Sequence, residues 1–295
     1  MRNMSKVITT AAMVLFGMVL SVRPSTAQVV PVGFWNPIMD EDQHERAAGP
    51  ELGDYSGLPI SAMQRMRADT WDASLLTLPE HQCQPHPSTY GFRGVGILRV
   101  WEERDPQTQQ LVKINTLIQW QQQHREIWMD GRPHPPEYAR HTWQGFSTGT
   151  FEGDTLVVKT DHLRPGWIRR NGVPRSDRAV VTEHFVRHGD GMTWVTVIKD
   201  PAYLTETMIR SRDYTYSVAG QIAPYPCESV EEVIRPKGVI PHHLPGTNTF
   251  LKEYQKNHGV LEEGAKGGAE TLYPEFRQKV IAAGDLGGKA PGPLQ

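Results

Sequence analysis

The chain has 295 residues, of which 38% are hydrophobic and 22% are charged. This composition is typical of a globular protein with a sizeable core, and it excludes a largely disordered chain and a polytopic membrane protein. The 31 basic and 33 acidic residues give a formal net charge of -2, so the chain lacks the overall basic field that nucleic-acid binding requires. We therefore predict no nucleic-acid partner.

The first 27 residues have the pattern of a secretory signal peptide. Arg2 and Lys6 precede an apolar run from Val7 to Val22, and the small residues Ser25, Thr26 and Ala27 follow it. The run is short for a membrane span of about 20 residues and ends at a typical cleavage site. We predict cleavage after Ala27, a periplasmic or secreted mature protein, and no stable membrane insertion after cleavage. An uncleaved membrane anchor is the alternative.

The chain contains two cysteines, Cys83 and Cys227. In an oxidising compartment such a pair commonly forms a disulfide bond. We predict a structural disulfide between them, with a reactive thiol as the alternative.

Residues 28–96 are predicted to form an N-terminal arm with one short helix. Scattered prolines and the motif GFWNP (Gly33 to Pro37) indicate an irregular, extended chain up to about Gly57. The helix is predicted over Ser61 to Ala73, because a serine can cap it and because Met63, Met66 and Thr70 then share one face.

Residues 97–235 carry repeated strand-like segments, which predict the core of the protein. Two hairpins are expected, because Glu152-Gly153-Asp154 and Gly189-Asp190-Gly191 each separate two runs rich in Val, Thr and aromatic residues. Consecutive antiparallel strands commonly close into a barrel or a sandwich, and a small barrel encloses one ligand-sized cavity. The predicted fold class is mainly β, an antiparallel β-barrel with a few short helices in the N- and C-terminal segments.

Residues 236–295 are predicted to form a covering segment rich in Pro, His and Gly. Two short helices are expected in it, over Thr249 to Asn257 and Pro274 to Ala283. The glycine-rich tail after them is expected to be disordered.

Three segments carry a shared signature, namely IWMDGRPHPPEY (127–138), HTWQGFSTGTFEGDTLVVKT (141–160) and RNGVPRSDRAVVTEHFVRHGD (170–190). In these segments the chain resembles a large family of exported bacterial proteins of unknown function with DGRPHP and EGDTLVV motifs. The resemblance implies an exported, lipocalin-like, β-rich fold over most of the mature chain. It brings no reaction with it, so candidate chemistry has to come from the residues.

The turn from Asp130 to Pro136 is the first candidate site. It holds an acid, a guanidinium group and an imidazole, Asp130, Arg132 and His134, in a turn stiffened by three prolines. Such stiffness suits a site whose polar groups must stay aimed. The alternative is a loop at the rim of the barrel in which Arg132 and Asp130 merely pair.

His162 is the second candidate. It shares the more apolar face of a predicted strand with Leu156 and Val158, so we expect that face to point to the core and to carry His162 to the mouth of a cavity. There it would act as a general base or a metal ligand. A core histidine that is hydrogen-bonded to the backbone is the alternative.

Glu183 shares a strand face with Val181 and Phe185. If that face is interior, Glu183 is a buried carboxylate whose pKa rises unless an arginine pairs with it. A tuned catalytic acid and half of a structural ion pair both fit this pattern.

Arg132 and Arg169 are candidates for holding an anionic group, and Trp143 and Tyr138 complete the substrate-binding candidates. Arg169 lies in a basic stretch that could bind a carboxylate through bidentate hydrogen bonds, although a solvated loop is the alternative. The run from Gly145 to Gly149 matches G-x-S-x-G, but it leads into a hairpin rather than into a helix. A serine hydrolase is therefore not predicted.

The chain contains 12 histidines, several of which could converge on a divalent metal. None of them has the HExxH spacing of a helical zinc site. We therefore predict no cofactor and keep a divalent metal as the alternative.

The sequence thus predicts an exported small-molecule-binding β-barrel protein. The candidate activity is metal-independent acid-base chemistry of the lyase, isomerase or hydrolase type on a small, partly aromatic organic compound. His134, His162 and Glu183 are the catalytic candidates, with Asp130 orienting them. A non-catalytic periplasmic ligand carrier and a histidine-based metal-dependent enzyme are the alternatives.

Overall fold

The computed structural model describes residues 30–38, 50–86, 88–91 and 96–282. The predicted signal peptide (1–27) and the glycine-rich tail (284–295) lie outside these residues. Across the described ranges, no helix has both the length and the apolar character needed to cross a membrane.

Nine strands close into a barrel in the order β1-β11-β10-β9-β6-β5-β4-β3-β2, which confirms the predicted mainly β fold class. A separate two-stranded sheet pairs β7 with β8. The strands are β1 (Gly33–Pro37), β2 (Leu98–Arg104), β3 (Leu111–Ile118), β4 (Gln123–Trp128), β5 (Phe146–Glu152), β6 (Thr155–Asp161), β7 (Gly166–Trp167), β8 (Pro174–Arg175), β9 (Val180–His188), β10 (Gly191–Lys199) and β11 (Met208–Tyr216).

Both predicted hairpins are present, connecting β5 to β6 and β9 to β10. Strand β1, by contrast, differs from the irregular arm expected there. It pairs with β11 on one side and with β2 on the other, and its Trp35 is fully buried. The GFWNP segment therefore closes the barrel, and it does so with partners that lie far along the chain.

One neighbouring pair departs from the expected antiparallel order. Strands β4 and β5 run parallel, with Ile127 opposite Ser147 and Trp128 opposite Thr148. A parallel pair cannot be joined by a hairpin, because the chain must first return to the starting end of the sheet. Residues 129–145 make this return, and we call them the crossover segment. They include the proline-rich turn singled out by the sequence.

Aliphatic and aromatic side chains fill the interior of the barrel, so the enclosed ligand cavity expected from the sequence is occupied by protein. A small barrel has an interior only wide enough for its own side chains when several of them are large. The buried residues of this core are Trp35, Leu98, Val100, Ile114, Ile118, Ile127, Leu156, Val158, Phe185, Met192, Trp194 and Tyr214.

A second apolar cluster lies between one end of the barrel and the segments that cover it. Its members include Tyr55, Leu58, Leu163 and Ile198. The hydroxyl of Tyr55 donates to Asp69 Oδ1 at 2.8 Å, and burial together with the Asp69 carboxylate raises the pKa of Tyr55 well above its ordinary value.

The N-terminal helix α1 (Ala62–Asp69) begins where the sequence predicts. Its cap, Ser61, accepts a hydrogen bond from the backbone N–H of Gln64. The face that Met63 and Met66 share is exposed, at 47% and 50% for these two residues, whereas Gln64 and Ala68 are buried. A hydrogen bond explains part of the burial of Gln64, since its side-chain Nε2 donates to the carbonyl oxygen of Pro174.

The remaining helices are short. They are α2 (Ser88–Gly91), α3 (Glu253–His258), α4 (Glu262–Lys266) and α5 (Pro274–Ala282), with 3-10 turns at Ala73–Thr77, Pro79–His81, Trp120–Gln122, Thr249–Lys252 and Ala269–Leu272. Both helices predicted for the covering segment are present, although the first begins as a 3-10 turn. The predicted disulfide joins Cys83 to Cys227, with 5.6 Å between the Cα atoms.

Candidate functional site

The crossover segment brings His134 against the outer wall of the barrel at the end of β6. Its Nδ1 lies 2.8 Å from Oδ1 of Asp161, the last residue of that strand. Its Nε2 lies 2.8 Å from the hydroxyl of Thr148 on β5, and its ring meets the edge of Phe146 with 5.2 Å between centroids. His134 is therefore fixed on three sides.

His162, the residue directly after Asp161 in the chain, contacts the same carboxylate. Its Nδ1 lies 2.6 Å from Asp161 Oδ1, and its Nε2 lies 2.9 Å from the carbonyl oxygen of Pro136. Both neighbours can only accept hydrogen bonds in their ordinary charge states, so both ring nitrogens carry hydrogen. The geometry thus favours a positively charged imidazolium at His162.

The pKa shifts agree with this assignment. Burial would raise the pKa of the Asp161 carboxyl, but hydrogen bonds and positive charge from His134 and His162 outweigh it and hold the pKa below its ordinary value. Burial would likewise lower the pKa of His162, but the Asp161 carboxylate and the Pro136 carbonyl outweigh it and raise that pKa. The pair is therefore stabilised in its ionised form.

The backbone at His162 has a φ of 53°, in the left-handed region that costs a non-glycine residue free energy. This turn ends strand β6 and breaks the alternation of faces predicted for that strand. As a result, Asp161 and His162 meet each other instead of pointing to opposite sides. Such strain is found at functional sites more often than elsewhere.

His141 is a third imidazole next to this cluster. Its Nδ1 lies 3.0 Å from the carbonyl oxygen of Leu163, so Nδ1 carries a hydrogen, and in the tautomer with hydrogen on Nδ1 alone the Nε2 atom is an acceptor. The rings of His141 and His162 are 5.2 Å apart between centroids. A second imidazole thus stands beside the charged ring of His162.

These groups border a cleft of about 590 Å³, which we call the crossover cleft. Both His141 and His162 line it, with Asp161 between the crossover segment and the barrel wall. Exposed charges from the loop before β9 lie at its edge. The lining residues are Pro135, Glu137, His141, Asp161, His162, Asp177, Arg178, Ala179, Val180 and Pro201.

Gly145 allows the crossover segment to approach this cluster. Its φ is 70°, and a Cβ atom at this position would collide with the carbonyl oxygen of Asp161 and come within 2.8 Å of Leu163 Cδ2. Only glycine combines this backbone conformation with so close an approach.

Glu183 lies elsewhere, fully buried inside the barrel. It accepts from both terminal nitrogens of Arg125, at 2.9 Å for Nη1, and from Trp194 Nε1 at 3.2 Å. Arg125 also donates to Ser147 and Thr160. The structural ion pair, one of the two alternatives for Glu183, is the arrangement observed, and it separates Glu183 from His134 and His162.

Asp130 and Arg132 pair with each other on the surface, as in the alternative interpretation of that turn. Arg132 Nε donates to Asp130 Oδ1 at 2.9 Å, and the guanidinium carbon lies 3.4 Å from the centre of the Trp128 ring. Neither side chain lines the crossover cleft. Asp130 therefore does not orient His134, a role that Asp161 fills.

The other predicted substrate-binding residues also lie away from the cleft. Arg169 is buried, and its Nη1 donates to the backbone carbonyl of Asp54 at 3.1 Å. Tyr138 is 91% exposed. Trp143 stacks beneath the guanidinium group of Arg164 at 5.5 Å.

The sequence did not predict that Asp161, His141 and Arg178 belong to one site. Strand alternation placed Asp161 on the face opposite His162, and His141 was only one of many histidines. The adjacency of Asp161 and His162 at the end of a strand was the one available signal. Within the described ranges, no group of three or more His, Cys, Asp or Glu side chains is arranged to hold a metal ion.

Comparison of the chain with protein families, curated proteins and solved structures finds no match. The resemblance to exported bacterial proteins stays a prediction.

Proposed function

We propose that the protein is an exported, small-molecule-binding β-barrel protein whose crossover cleft performs metal-independent acid-base chemistry of the lyase or isomerase type. The observation that carries this proposal is the convergence of two histidines on the Asp161 carboxylate, with the ring of a third histidine, His141, 5.2 Å from that of His162 between centroids. A charged imidazole beside one whose Nε2 can accept a proton suits proton transfer near neutral pH.

His141 is the proposed general base, because its Nε2 is an acceptor in the tautomer that carries hydrogen on Nδ1, where the Leu163 carbonyl accepts. It takes a proton from a carbon next to a carbonyl or carboxylate group of the substrate. The electron pair of that C–H bond moves into the carbonyl system as an enolate, and the positive charge on His162 stabilises the negative charge that develops. The proton then returns from His141 to the same or a neighbouring carbon, or leaves with the departing group.

The proposed substrate is a small organic acid with an apolar part. Arg178 at the edge of the cleft supplies a cation for the carboxylate. Pro135, Val180 and Pro201 supply apolar contacts for the remainder. His134 does not line the cleft and acts as a positioning residue that fixes Asp161.

Hydrogen exchange at carbon tests the proposal with a panel of model compounds in place of the natural substrate. The chain is incubated in D₂O with small oxo- and hydroxycarboxylates, and deuterium incorporation at carbon is followed by NMR. We expect catalysed exchange in at least one compound. His141→Gln should abolish this exchange, whereas His188→Gln, in an exposed hairpin histidine, should leave it unchanged.

Two outcomes would count against the proposal. Exchange that persists in the His141→Gln variant would remove the assigned base. Binding of panel compounds without any exchange, seen by ligand-observed NMR in the same samples, would favour the non-catalytic carrier.

A further inference from the structure

A second cavity lies beside the disulfide and is independent of the crossover cleft. It has a volume of about 300 Å³, and we call it the tryptophan pocket because Trp71, Trp120 and Trp167 line it. Among the described residues the two cavities share no lining side chain. The volume is at the lower end of that of small-molecule sites, so the pocket fits a small ligand.

The indole groups present ring carbon to this cavity rather than their nitrogens. The Nε1 atoms of Trp120 and Trp167 are buried from solvent, although both residues are partly exposed and line the cavity. A ligand therefore cannot take a hydrogen bond from either indole. What the walls offer is aromatic surface, whose negatively polarised faces attract cations, and tryptophan attracts them more strongly than the other aromatic residues do.

The charges around the pocket also favour a cation. Glu228 and Glu232 line it and are both exposed, and Arg170 is the one Arg or Lys side chain in the described lining. The carboxylates therefore outnumber the guanidinium group by two to one. The imidazole of His86 adds no charge at pH 7, because burial and the positive charge of Arg170 lower its pKa to about 4.

Arg170 shows that this aromatic wall already holds one cation. Its guanidinium carbon lies 5.7 Å from the centre of the Trp120 ring, which is within the range of cation–π contacts. No Lys or Arg of the described ranges makes such a contact with Trp71 or Trp167. These two rings are therefore the ones that a second cation can use.

We infer that the tryptophan pocket binds a small quaternary or tertiary ammonium compound. The cationic head lies against the rings of Trp71 and Trp167, and the carboxylates of Glu228 and Glu232 balance its charge. Arg170 opposes the ligand as a like charge and so weakens its binding. The ligand is held without reaction, in a site separate from the acid-base chemistry of the crossover cleft.

The disulfide holds the acidic wall of the pocket in place. Cys83 and Cys227 both line the pocket, and Glu228 follows Cys227 directly in the chain. Glu232 accepts a hydrogen bond at 3.1 Å from Nε2 of Gln82, the residue before Cys83. Two stretches that are distant in sequence thus form one wall. Opening the bridge should loosen that wall and weaken binding.

Choline and 3,3-dimethylbutan-1-ol are a matched pair of probes, because the two molecules have nearly the same shape and only choline is charged. Their binding is followed by ¹⁹F NMR of the full chain in its oxidised form, labelled with 5-fluorotryptophan, with Trp71→Phe and Trp167→Phe assigning the resonances. Choline should shift both resonances saturably and bind about tenfold more tightly than the alcohol. The described lining of the crossover cleft contains no tryptophan, so this readout separates the two cavities.

Substitutions of charged residues give effects of opposite sign. The double variant Glu228→Gln/Glu232→Gln should weaken choline binding about fivefold, whereas Arg170→Gln should strengthen it about twofold to fivefold, because a like charge is removed. Asp177→Asn removes a carboxylate that lines the crossover cleft. It is the matched control and should leave the affinity unchanged. The two glutamates and Asp177 are exposed, so these variants should fold normally.

Four results would overturn the inference. The first three are no shift of either resonance at millimolar choline, equal affinity for the neutral alcohol, and weaker choline binding in Arg170→Gln. The fourth is loss of choline binding in Asp177→Asn with retention in the glutamate double variant, which would assign the cation to the crossover cleft. Because the deuterium exchange assay depends on His141 and uses carboxylates, failure of one proposal leaves the other standing.

Discussion

At the residue scale, the contact between Asp161 and His162 makes the free energy of unfolding fall on both the acid side and the alkaline side. The pKa of Asp161 is lowered from an ordinary 3.8, so its contribution is present above that value and is lost as the pH falls through the lower folded-state pKa. The pKa of His162 is raised from an ordinary 6.5, so its contribution is complete below that value and is lost as the pH rises through the higher folded-state pKa. The pair stabilises most between these two values.

His162→Asn tests the alkaline side of this window. Asparagine tolerates the left-handed backbone but carries no titratable charge. We expect the free energy of unfolding, measured by urea denaturation, to fall less between pH 5.5 and pH 8.5 in the variant than in the unsubstituted chain. His188→Asn is the control and should keep the full decline. An identical pH dependence in all three chains would show that His162 is not charged.

The ion pair between Arg125 and Glu183 is a second contact between individual residues, and its role is structural. Glu183→Gln leaves a buried guanidinium group without its counter-charge and should cost about 3 to 5 kcal/mol of unfolding free energy. The double variant Arg125→Met/Glu183→Leu removes both charges and should cost less than Glu183→Gln alone. Denaturation of the three chains measures this. A double variant less stable than the single one would mean that the pair itself stabilises the barrel.

At the element scale, the crossover segment depends on Gly145. Gly145→Ala forces a Cβ atom against the carbonyl of Asp161 in a backbone conformation that disfavours alanine. Gly153→Ala is the matched control, because Gly153 also has a positive φ, of 60°, but nothing lies within 4 Å of its added Cβ. We expect Gly145→Ala to lose about 2 kcal/mol more stability than Gly153→Ala and to shift the His162 ring resonances in NMR spectra. Equal losses would show that the close approach is unimportant.

Elements defined by neighbouring residues could be predicted, whereas those defined by distant partners could not. Each of the two hairpin turns could be predicted from three consecutive residues, Glu152-Gly153-Asp154 and Gly189-Asp190-Gly191. The start of the first helix could be predicted from Ser61. The strand Gly33–Pro37 has no such local signal, because its partners Tyr216 and Val100 are remote.

The site was predictable only in part for a similar reason. Alternation along β6 correctly assigned Leu156 and Val158 to the core, but it failed at His162, where the positive φ ends the strand. Hydrophobic periodicity likewise does not show which face of α1 is buried, because Gln64 is held on that face by a hydrogen bond to the carbonyl oxygen of Pro174. Polar contacts between distant segments leave no trace in such patterns.

At the scale of the whole molecule, the barrel acts as a scaffold rather than as a container. Its interior is filled by side chains such as Trp35, Phe185 and Trp194. Both candidate binding sites are therefore built against its outside, one by the crossover segment and one by the segments that the disulfide joins. Loops held by a rigid core are where binding and catalytic residues concentrate.

The disulfide is the strongest single constraint on this arrangement. Cys83 and Cys227 are separated by 144 residues, and the loop between them contains every barrel strand except β1. Closing so long a loop stabilises by at most about 5 kcal/mol in chain-entropy terms. The double variant Cys83→Ser/Cys227→Ser should therefore lose several kcal/mol of unfolding free energy, which urea denaturation measures. Dithiothreitol should lower the stability of the unsubstituted chain towards that of the variant and leave the variant unchanged. Equal stability of the two chains would mean that hydrogen bonds such as Val230 to Gln82 already fix the wall of the pocket without the bridge.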